Sequence, residues 1–298
     1  MSSVRNYLSL VKFSHTLFAL PFAMIGFFLG VYHQELFSTT IPFSYSLLAV
    51  KFILVLICMI TARSAAMGFN RYLDRHFDAQ NPRTAIREIP KGIIAPNSAL
   101  RFVIICCLLF MLACWFINPL CFFLSPIALF VILFYSYTKR FTAFCHLVLG
   151  VGLSLAPIGA FLAVTGHFAL LPLLFSGAVI CWVSGFDIIY ALQDVEFDKS
   201  QQLYSIPASF GKKNALFIST FLHLISALFV LAAGLHGGFG LGYWFGMLLF
   251  DGMLIYQHAI VKPHDLSRVN LAFMTANGIA SVMFALFVIA DIIITHKR

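Results

Sequence analysis

Long apolar stretches alternate with polar segments along the chain, at residues 14–33, 44–69, 99–117, 119–138, 143–164, 168–192, 213–235, 238–261 and 270–294. A helix of about 20 apolar residues crosses the hydrocarbon core of a bilayer, so each stretch predicts one membrane-spanning helix. The connections differ in a regular way. Those at 117–119, 165–167 and 235–238 barely turn the chain, whereas those at 70–98 and 193–214, after the second and sixth spans, are long. Both long connections carry two aspartates, then an Ile-Pro step (Ile89 and Pro90; Ile206 and Pro207), then a glycine (Gly92; Gly211). The pattern predicts an all-α integral membrane protein with nine transmembrane helices in one domain over residues 1–298. It reads as two pseudo-symmetric four-helix repeats, about 14–138 and 143–261, with a ninth helix at about 270–294. Such a duplication is a common way to assemble one membrane site from two halves.

Composition excludes a soluble domain. Charged residues make up 10% of the 298 and hydrophobic ones 61%, at a mean hydropathy of +0.95; soluble domains carry roughly 25% charged residues. Basic residues in short loops stay on the cytoplasmic side. One side holds Arg5, Lys12, Arg71, Arg75, Arg83, Arg87, Lys91, Arg101, Lys139, Arg140, Lys199, Lys212, Lys213, Lys262 and Arg268, and the other only Lys297 and Arg298. The N-terminus and the long polar loops are therefore expected in the cytoplasm of a multi-pass inner-membrane protein, with the C-terminus outside. The net charge of +8 belongs to this topology and to anionic headgroups rather than to nucleic acid. The first span lacks a small-residue cleavage site after Gly30 and reads as an uncleaved helix. All seven cysteines fall inside spans without CxxC spacing and read as small hydrophobes, and the ten histidines show no ligand spacing.

Against this background the acids are concentrated. Asp74, Asp78, Asp187, Asp194 and Asp198 are five of only eight aspartates. Arg63, Asn70, Asp74 and Asp78 follow at intervals of seven, four and four, and Asp187, Asp194 and Asp198 repeat the seven and four, with Tyr190 beside them. On a continuous helix each set lies on one stripe. Like charges four apart repel by roughly 0.2–0.5 kcal/mol, a penalty that a divalent cation removes. Carboxylates without Cys or His beside them favour Mg2+, which takes one or two carboxylates together with water and phosphate oxygens. Asp74, Asp78, Asp194 and Asp198 are the candidate metal ligands. Arg71, Arg75, Arg83, Arg87, Lys139 and Arg140 supply phosphate donors, and the combination implies a diphosphate. In a protein with 34 Phe that substrate is expected to be a lipid diphosphate. Metal-assisted loss of diphosphate from an allylic carbon leaves a carbocation that aromatic faces stabilise, with Tyr135, Tyr137 and Tyr190 as candidates. Asp251 reads as a helix-packing residue, Lys51 as a snorkelling one, and Asp291 as an interfacial one.

The stretch NRYLDRHFDAQNPRT from Asn70, the stretch DIIYALQDVEFDKSQQLYSIP from Asp187 and YSYTKRFT from Tyr135 resemble the two aspartate-rich motifs and the Lys-Arg loop of the UbiA superfamily of intramembrane aromatic prenyltransferases. The resemblance runs over the first seven spans. It implies nine helices, Mg2+, a polyprenyl diphosphate donor and an aromatic acceptor, with Asn70, Asp74, Asp78, Asp194 and Asp198 holding Mg2+-diphosphate. Lys139, Arg83 and Arg87 would contact phosphate or acceptor, and Arg63, Arg71, Arg140, Asp187 and Tyr190 join the substrate-binding set. Where many members have Asp after the Asn, this chain has Arg71. The wording is similar to that of 4-hydroxybenzoate polyprenyltransferases of ubiquinone and menaquinone synthesis, and of the branch acting on 1,4-dihydroxy-6-naphthoate. A secondary transporter would carry its charges at the midplane rather than gathered at one face. The Asp-Gly-x-x-Ala-Arg signature of CDP-alcohol phosphotransferases is absent.

Overall fold

The computed structural model describes residues 2–11, 18–37 and 45–296. Lys12, Lys297 and Arg298, used above for topology, and the first residues of the first span lie outside the described residues. The regular structure of the described chain is helical: α1 Ser2–Leu10, α2 Leu20–Phe37, α3 Tyr45–Leu73, α4 Arg75–Gln80, α5 Pro96–Ile117, α6 Pro119–Thr138, α7 Cys145–Thr165, α8 Leu170–Ala191, α9 Val195–Ser200, α10 Ile206–Gly237, α11 Leu241–Ile260 and α12 Asn277–His296. Among the described residues no strand occurs, only an isolated bridge between Lys262 and Asp265. Seven helical segments are long and apolar enough to cross a membrane: α3, α5, α6, α7, α8 with its continuation to Ser200, α10, and Leu271–Thr295. The apolar part of α2, Leu20–His33, is shorter, and α11 carries Asp251, Gln257 and His258. Large side chains such as Leu108, Leu112, Trp115, Phe217 and Leu248 are exposed on the outside, as a lipid-facing surface requires because hydrocarbon is as apolar as they are.

Three short helices were not expected from the pattern. α1 is too short and polar to span, and it lies against the first long connection: Leu10 packs with Ile89, Ile94 and Ala99, and Ser9 donates a hydrogen bond to Glu88. α4 and α9 each carry the second aspartate of a pair. The helical stripe proposed through Asp74 is interrupted, since α3 stops at Leu73. Hydrogen bonds from Asp74 N to the Asn70 carbonyl (2.9 Å) and from Asp78 N to the Asp74 carbonyl (2.8 Å) nonetheless keep the four-residue spacing.

Close helix packing sets how the helices meet. α2 crosses α7 where Gly26 faces the backbone of Pro157, and a Cβ there would come within 2.0 Å of its carbonyl oxygen; only the smallest residue allows that approach. α8 packs on both α7 and α10. A cluster of rings, Phe22, Phe175, Trp182, Tyr243, Phe250 and Phe284, ties α2, α8, α11 and α12 together. Ring-on-ring contacts of this kind add van der Waals packing, which holds helices together in lipid. Two polar donors inside this core meet one acceptor across helices: Trp182 Nε1 and Gln257 Nε2 both donate to Asn277 Oδ1, at 2.8 and 2.9 Å. Lys51 does not merely snorkel, because its ammonium donates to the Val164 carbonyl at 2.9 Å, one of the open carbonyls of the last turn of α7. Asp291 Oδ2 accepts the Gly240 N–H at 2.7 Å at the start of α11.

Candidate functional site

Both acidic segments arrive at the same end of the bundle. The first is the turn from α3 into α4 and the connection beyond it, which folds as successive turns (Thr84 N to Asn81 O, 2.9 Å; Arg87 N to Thr84 O, 3.0 Å; Gly92 N to Ile89 O, 2.9 Å). The second is the 3₁₀ turn Leu192–Asp194 followed by α9. Ser205 then caps α10, accepting the Ala208 N–H at 3.3 Å and donating to Asp198 Oδ2 at 2.9 Å. A break at Gly211 (φ +79°, ψ 159°), a backbone conformation that glycine alone adopts without strain, turns this first part of α10 away from the spanning part. Tyr204 N donates to the Lys139 carbonyl at 2.7 Å, anchoring the end of α6 to the second segment.

Together these elements wall a polar cavity of about 210 Å³. Asn70, Asp74, Asp78, Asn81, Arg83, Arg87, Lys139, Arg140, His146, Asp187, Tyr190, Asp194 and Asp198 all line it. Each of the four paired aspartates meets its own cation. Arg140 lies 2.7 Å from Asp74, Arg87 2.5 Å from Asp78, Arg83 2.5 Å from Asp194, and Lys139 2.7 Å from Asp198. Arg83 grips Asp194 with two nitrogens, the second bond being Nε to Oδ1 at 3.1 Å, and also donates to the Tyr190 hydroxyl at 2.8 Å. Asn70 Nδ2 donates to Asp74 Oδ2 at 3.1 Å. Among the described residues the fifth acid, Asp187, has no ion pair with a lysine or arginine; its Oδ2 lies 2.6 Å from His146 Nδ1.

Electrostatics follow this pairing. Burial raises the Asp74 carboxyl above its ordinary value, although Arg140 opposes the shift. Burial works against the charged forms of Lys139 and Arg83, but Asp198 and Asp194 respectively outweigh it, and both cations sit above their ordinary values. An opposite charge within a few ångströms favours the ionised form in this way.

A second cavity of about 370 Å³ lies between α3, α5, α6 and α7, lined by apolar residues such as Val55, Met59, Phe110, Leu124, Val131, Leu153 and Gly159. Tyr135 lines both cavities, so they adjoin at one phenol ring. Three basic residues expected in the charged site are elsewhere: Arg75 lines neither cavity and donates to the Tyr72 carbonyl at 2.7 Å. Arg63 lines the apolar cavity, and Arg71 is buried at 5% exposure outside the lining of both, each with an Nε that lacks a hydrogen bond. Helical phase explains Arg71: it follows Asn70 by one residue, about 100° around α3. Tyr137 is half exposed beside Arg140 (5.6 Å from guanidinium to ring) and lines neither cavity. Tyr190 stacks on Phe273 with ring centres 4.2 Å apart. Asp251 also lies outside both cavities. The residues that spacing did not reveal are Asn81, Ser205 and His146. A Ser or Asn just before a helix is a readable capping signal for Ser205; nothing local marks His146, which meets its partner across 41 positions.

Among the described residues no three His, Cys, Asp or Glu side chains converge into a ready-made metal cage. The donor set still fits a hard divalent cation. It consists of carboxylates flanked by Asn70, with one buried oxygen of Asp78 left without a hydrogen bond. Such a cation takes few protein ligands and completes its shell with water and phosphate. All seven cysteines are free.

Comparison with known proteins agrees with the fold. The UbiA prenyltransferase family model matches residues 19–279. A 4-hydroxybenzoate octaprenyltransferase of Francisella tularensis subsp. tularensis (strain WY96-3418) is 27% identical over 235 residues, covering 79% of this chain and 81% of that protein. One of Saccharophagus degradans is 27% identical over 247 residues, covering 83% and 81%. The apo structure of a UbiA homolog from Aeropyrum pernix K1 superposes with a TM-score of 0.77 at 28% identity, covering 94% of this chain and 98% of that one. A UbiA homolog from Archaeoglobus fulgidus bound to DMAPP and Mg2+ shares the fold at a TM-score of 0.68 and 20% identity, covering 97% and 99%.

Proposed function

The chain belongs to the UbiA prenyltransferase family, and we propose that this polyprenyltransferase moves a polyprenyl group from its diphosphate to a small aromatic carboxylate of the 4-hydroxybenzoate type, for quinone biosynthesis. The observation that carries the reading is the junction at Tyr135: a cavity of four aspartate–cation pairs on one side, an apolar cavity on the other. A diphosphate head and a hydrocarbon tail are the two halves of one molecule that would fill both. The named activity of the relatives, 4-hydroxybenzoate octaprenyl transfer, supports the same substrate class. Nine membrane-crossing helices in two related halves, with the N-terminus and the polar cavity on the cytoplasmic side of the inner membrane, complete the proposal. The gathering of Arg83, Arg87, Lys139 and Arg140 at the cavity agrees with that orientation.

Asp74, Asp78, Asp194 and Asp198, with Asn70, would hold Mg2+, which when bound neutralises charge on the diphosphate leaving group. Arg83, Arg87, Lys139 and Arg140 exchange their aspartate partners for phosphate oxygens as the donor enters, so charge is balanced before and after binding. The tail lies between α3, α6 and α7, which places the allylic carbon near Tyr135, where the ring face stabilises developing positive charge and the apolar wall excludes water. Arg63, on the apolar side of that junction and short of a hydrogen-bond partner, suits the acceptor's carboxylate. The electron-rich acceptor ring then attacks through the carbon ortho to its hydroxyl.

The test is prenyl transfer by membranes containing the protein, with Mg2+ and farnesyl or longer polyprenyl diphosphate, offering 4-hydroxybenzoate and 1,4-dihydroxy-6-naphthoate in parallel. Product from 4-hydroxybenzoate is the expected result, and product from the naphthoate alone would move the enzyme to the other quinone route. Asp74→Asn and Asp194→Asn should insert normally yet lose transfer by about 10²-fold or more. Near-normal turnover of either variant would overturn the assignment of the aspartates.

A further inference from the structure

Five acids line the polar cavity, and they fall into two kinds. Asp74, Asp78, Asp194 and Asp198 each face a lysine or arginine, groups that stay protonated and can only supply charge. Asp187 faces an imidazole instead. His146 itself is held on every side. Its ring is buried at 3% exposure, Ser184 Oγ donates to its carbonyl at 3.1 Å, and the Ile206 N–H points at Nε2 at 3.4 Å. A backbone N–H has only a hydrogen to offer, so Nε2 accepts and the ring proton sits on Nδ1, where it donates to Asp187. That arrangement aims the imidazole at the carboxylate. It fixes one oxygen of Asp187 and leaves the other free of a permanent counter-charge, on the wall of the cavity that adjoins the tail pocket at Tyr135.

We infer that Asp187 is the base that takes the ring proton of the aromatic acceptor, and that His146 is the positioning residue that aims it. The inference rests on the transfer reaction proposed above. In the step, the acceptor's ring carbon bonds to the allylic carbon, whose bond to the diphosphate oxygen breaks with its electron pair leaving on diphosphate. The ring carbon then gives up its proton to a carboxylate oxygen of Asp187, and the C–H electron pair restores aromaticity. The protonated Asp187 still accepts from His146 Nδ1 through its other oxygen and passes its proton to water when product leaves. The four cation-bound aspartates are poorly suited to this role, since each is already engaged by a lysine or arginine and is assigned to the metal and the diphosphate. The division is one of labour by partner: lysine and arginine mark the acids that manage charge, and histidine marks the acid that manages a proton.

The test uses the full-length protein in membranes with Mg2+, polyprenyl diphosphate and the accepted aromatic substrate, unlabelled or deuterated at the carbons ortho to the hydroxyl. Asp187→Asn should lower kcat by about 10²- to 10⁴-fold, the usual contribution of a general base, with donor affinity, read by displacement with inorganic diphosphate, unchanged. His146→Ala should lower kcat by about tenfold or more and reveal a primary isotope effect absent from the wild type, because proton removal becomes rate-limiting. His146→Asn, whose amide N–H can replace Nδ1–H, should restore most of the rate and suppress the isotope effect. If the wild type does not prenylate the aromatic ring, the proposed function itself fails. If it does, but Asp187→Asn turns over normally, or His146→Ala loses activity together with diphosphate binding and without an isotope effect, the base assignment is overturned.

Discussion

Lys139 and Arg140 are neighbours in the chain and hold opposite acidic segments: Lys139 Nζ lies 2.7 Å from Asp198 and an Arg140 nitrogen lies 2.7 Å from Asp74. The short connection between α6 and α7 thereby bridges the two halves of the cavity. With Arg83 reaching from the first segment to Asp194 of the second, three of the four pairs join different parts of the chain. The site is tied together by its own charges.

That arrangement makes Lys139→Met destabilising. Asp198 is fully buried and Lys139 about a third exposed, so the loss is expected at about 1–3 kcal/mol, below the ~3–5 of a wholly buried pair because water still reaches the lysine. Adding Asp198→Asn to it should recover stability but not turnover. Thermal unfolding of the two variants in detergent checks the first statement, and a transfer assay the second.

Chelation should stop transfer without loosening the fold. Each aspartate of the four already has a cation of the protein, so removing a divalent ion exposes no unpaired buried carboxylate. The melting temperature with EDTA is expected to stay within a degree or two of the untreated protein, about 0.5 kcal/mol or less. Added Mg2+ should restore activity, and a large drop in melting temperature would mean that the metal is structural.

Arg83→Lys should be costly although it keeps the charge. A lysine cannot reproduce the two-pronged contact with Asp194 and the bond to Tyr190, because its ammonium is a single point of charge. A fall of about tenfold or more in kcat/KM for the donor is expected in steady-state kinetics, with expression unchanged.

The apolar cavity should govern donor length. Gly159 lines it, and a Cβ there meets nothing within 4 Å, so Gly159→Leu fills the cavity without straining α7 and should favour the helix by up to about 1 kcal/mol. The variant is expected to lose kcat/KM for long polyprenyl diphosphates more than for geranyl diphosphate. Equal losses for both would mean that the tail lies elsewhere.

What could be read in the sequence is what neighbouring residues decide among themselves. Runs of apolar residues marked the membrane helices, since a lone backbone in hydrocarbon must satisfy its own hydrogen bonds. Four-residue intervals placed Asp74 near Asp78 and Asp194 near Asp198, because one helical turn brings such positions together whatever surrounds them. The scarcity of other acids identified the same end of the molecule as chemical. Only the tertiary structure decided which cation meets which acid, that Arg71 is turned away from the cavity while Arg63 lines its apolar neighbour, and that His146 sits on Asp187. Those facts depend on how α3, α6, α7 and α8 pack. Close approaches such as Gly26 against Pro157 set that packing, and partners many residues apart leave no mark in local spacing.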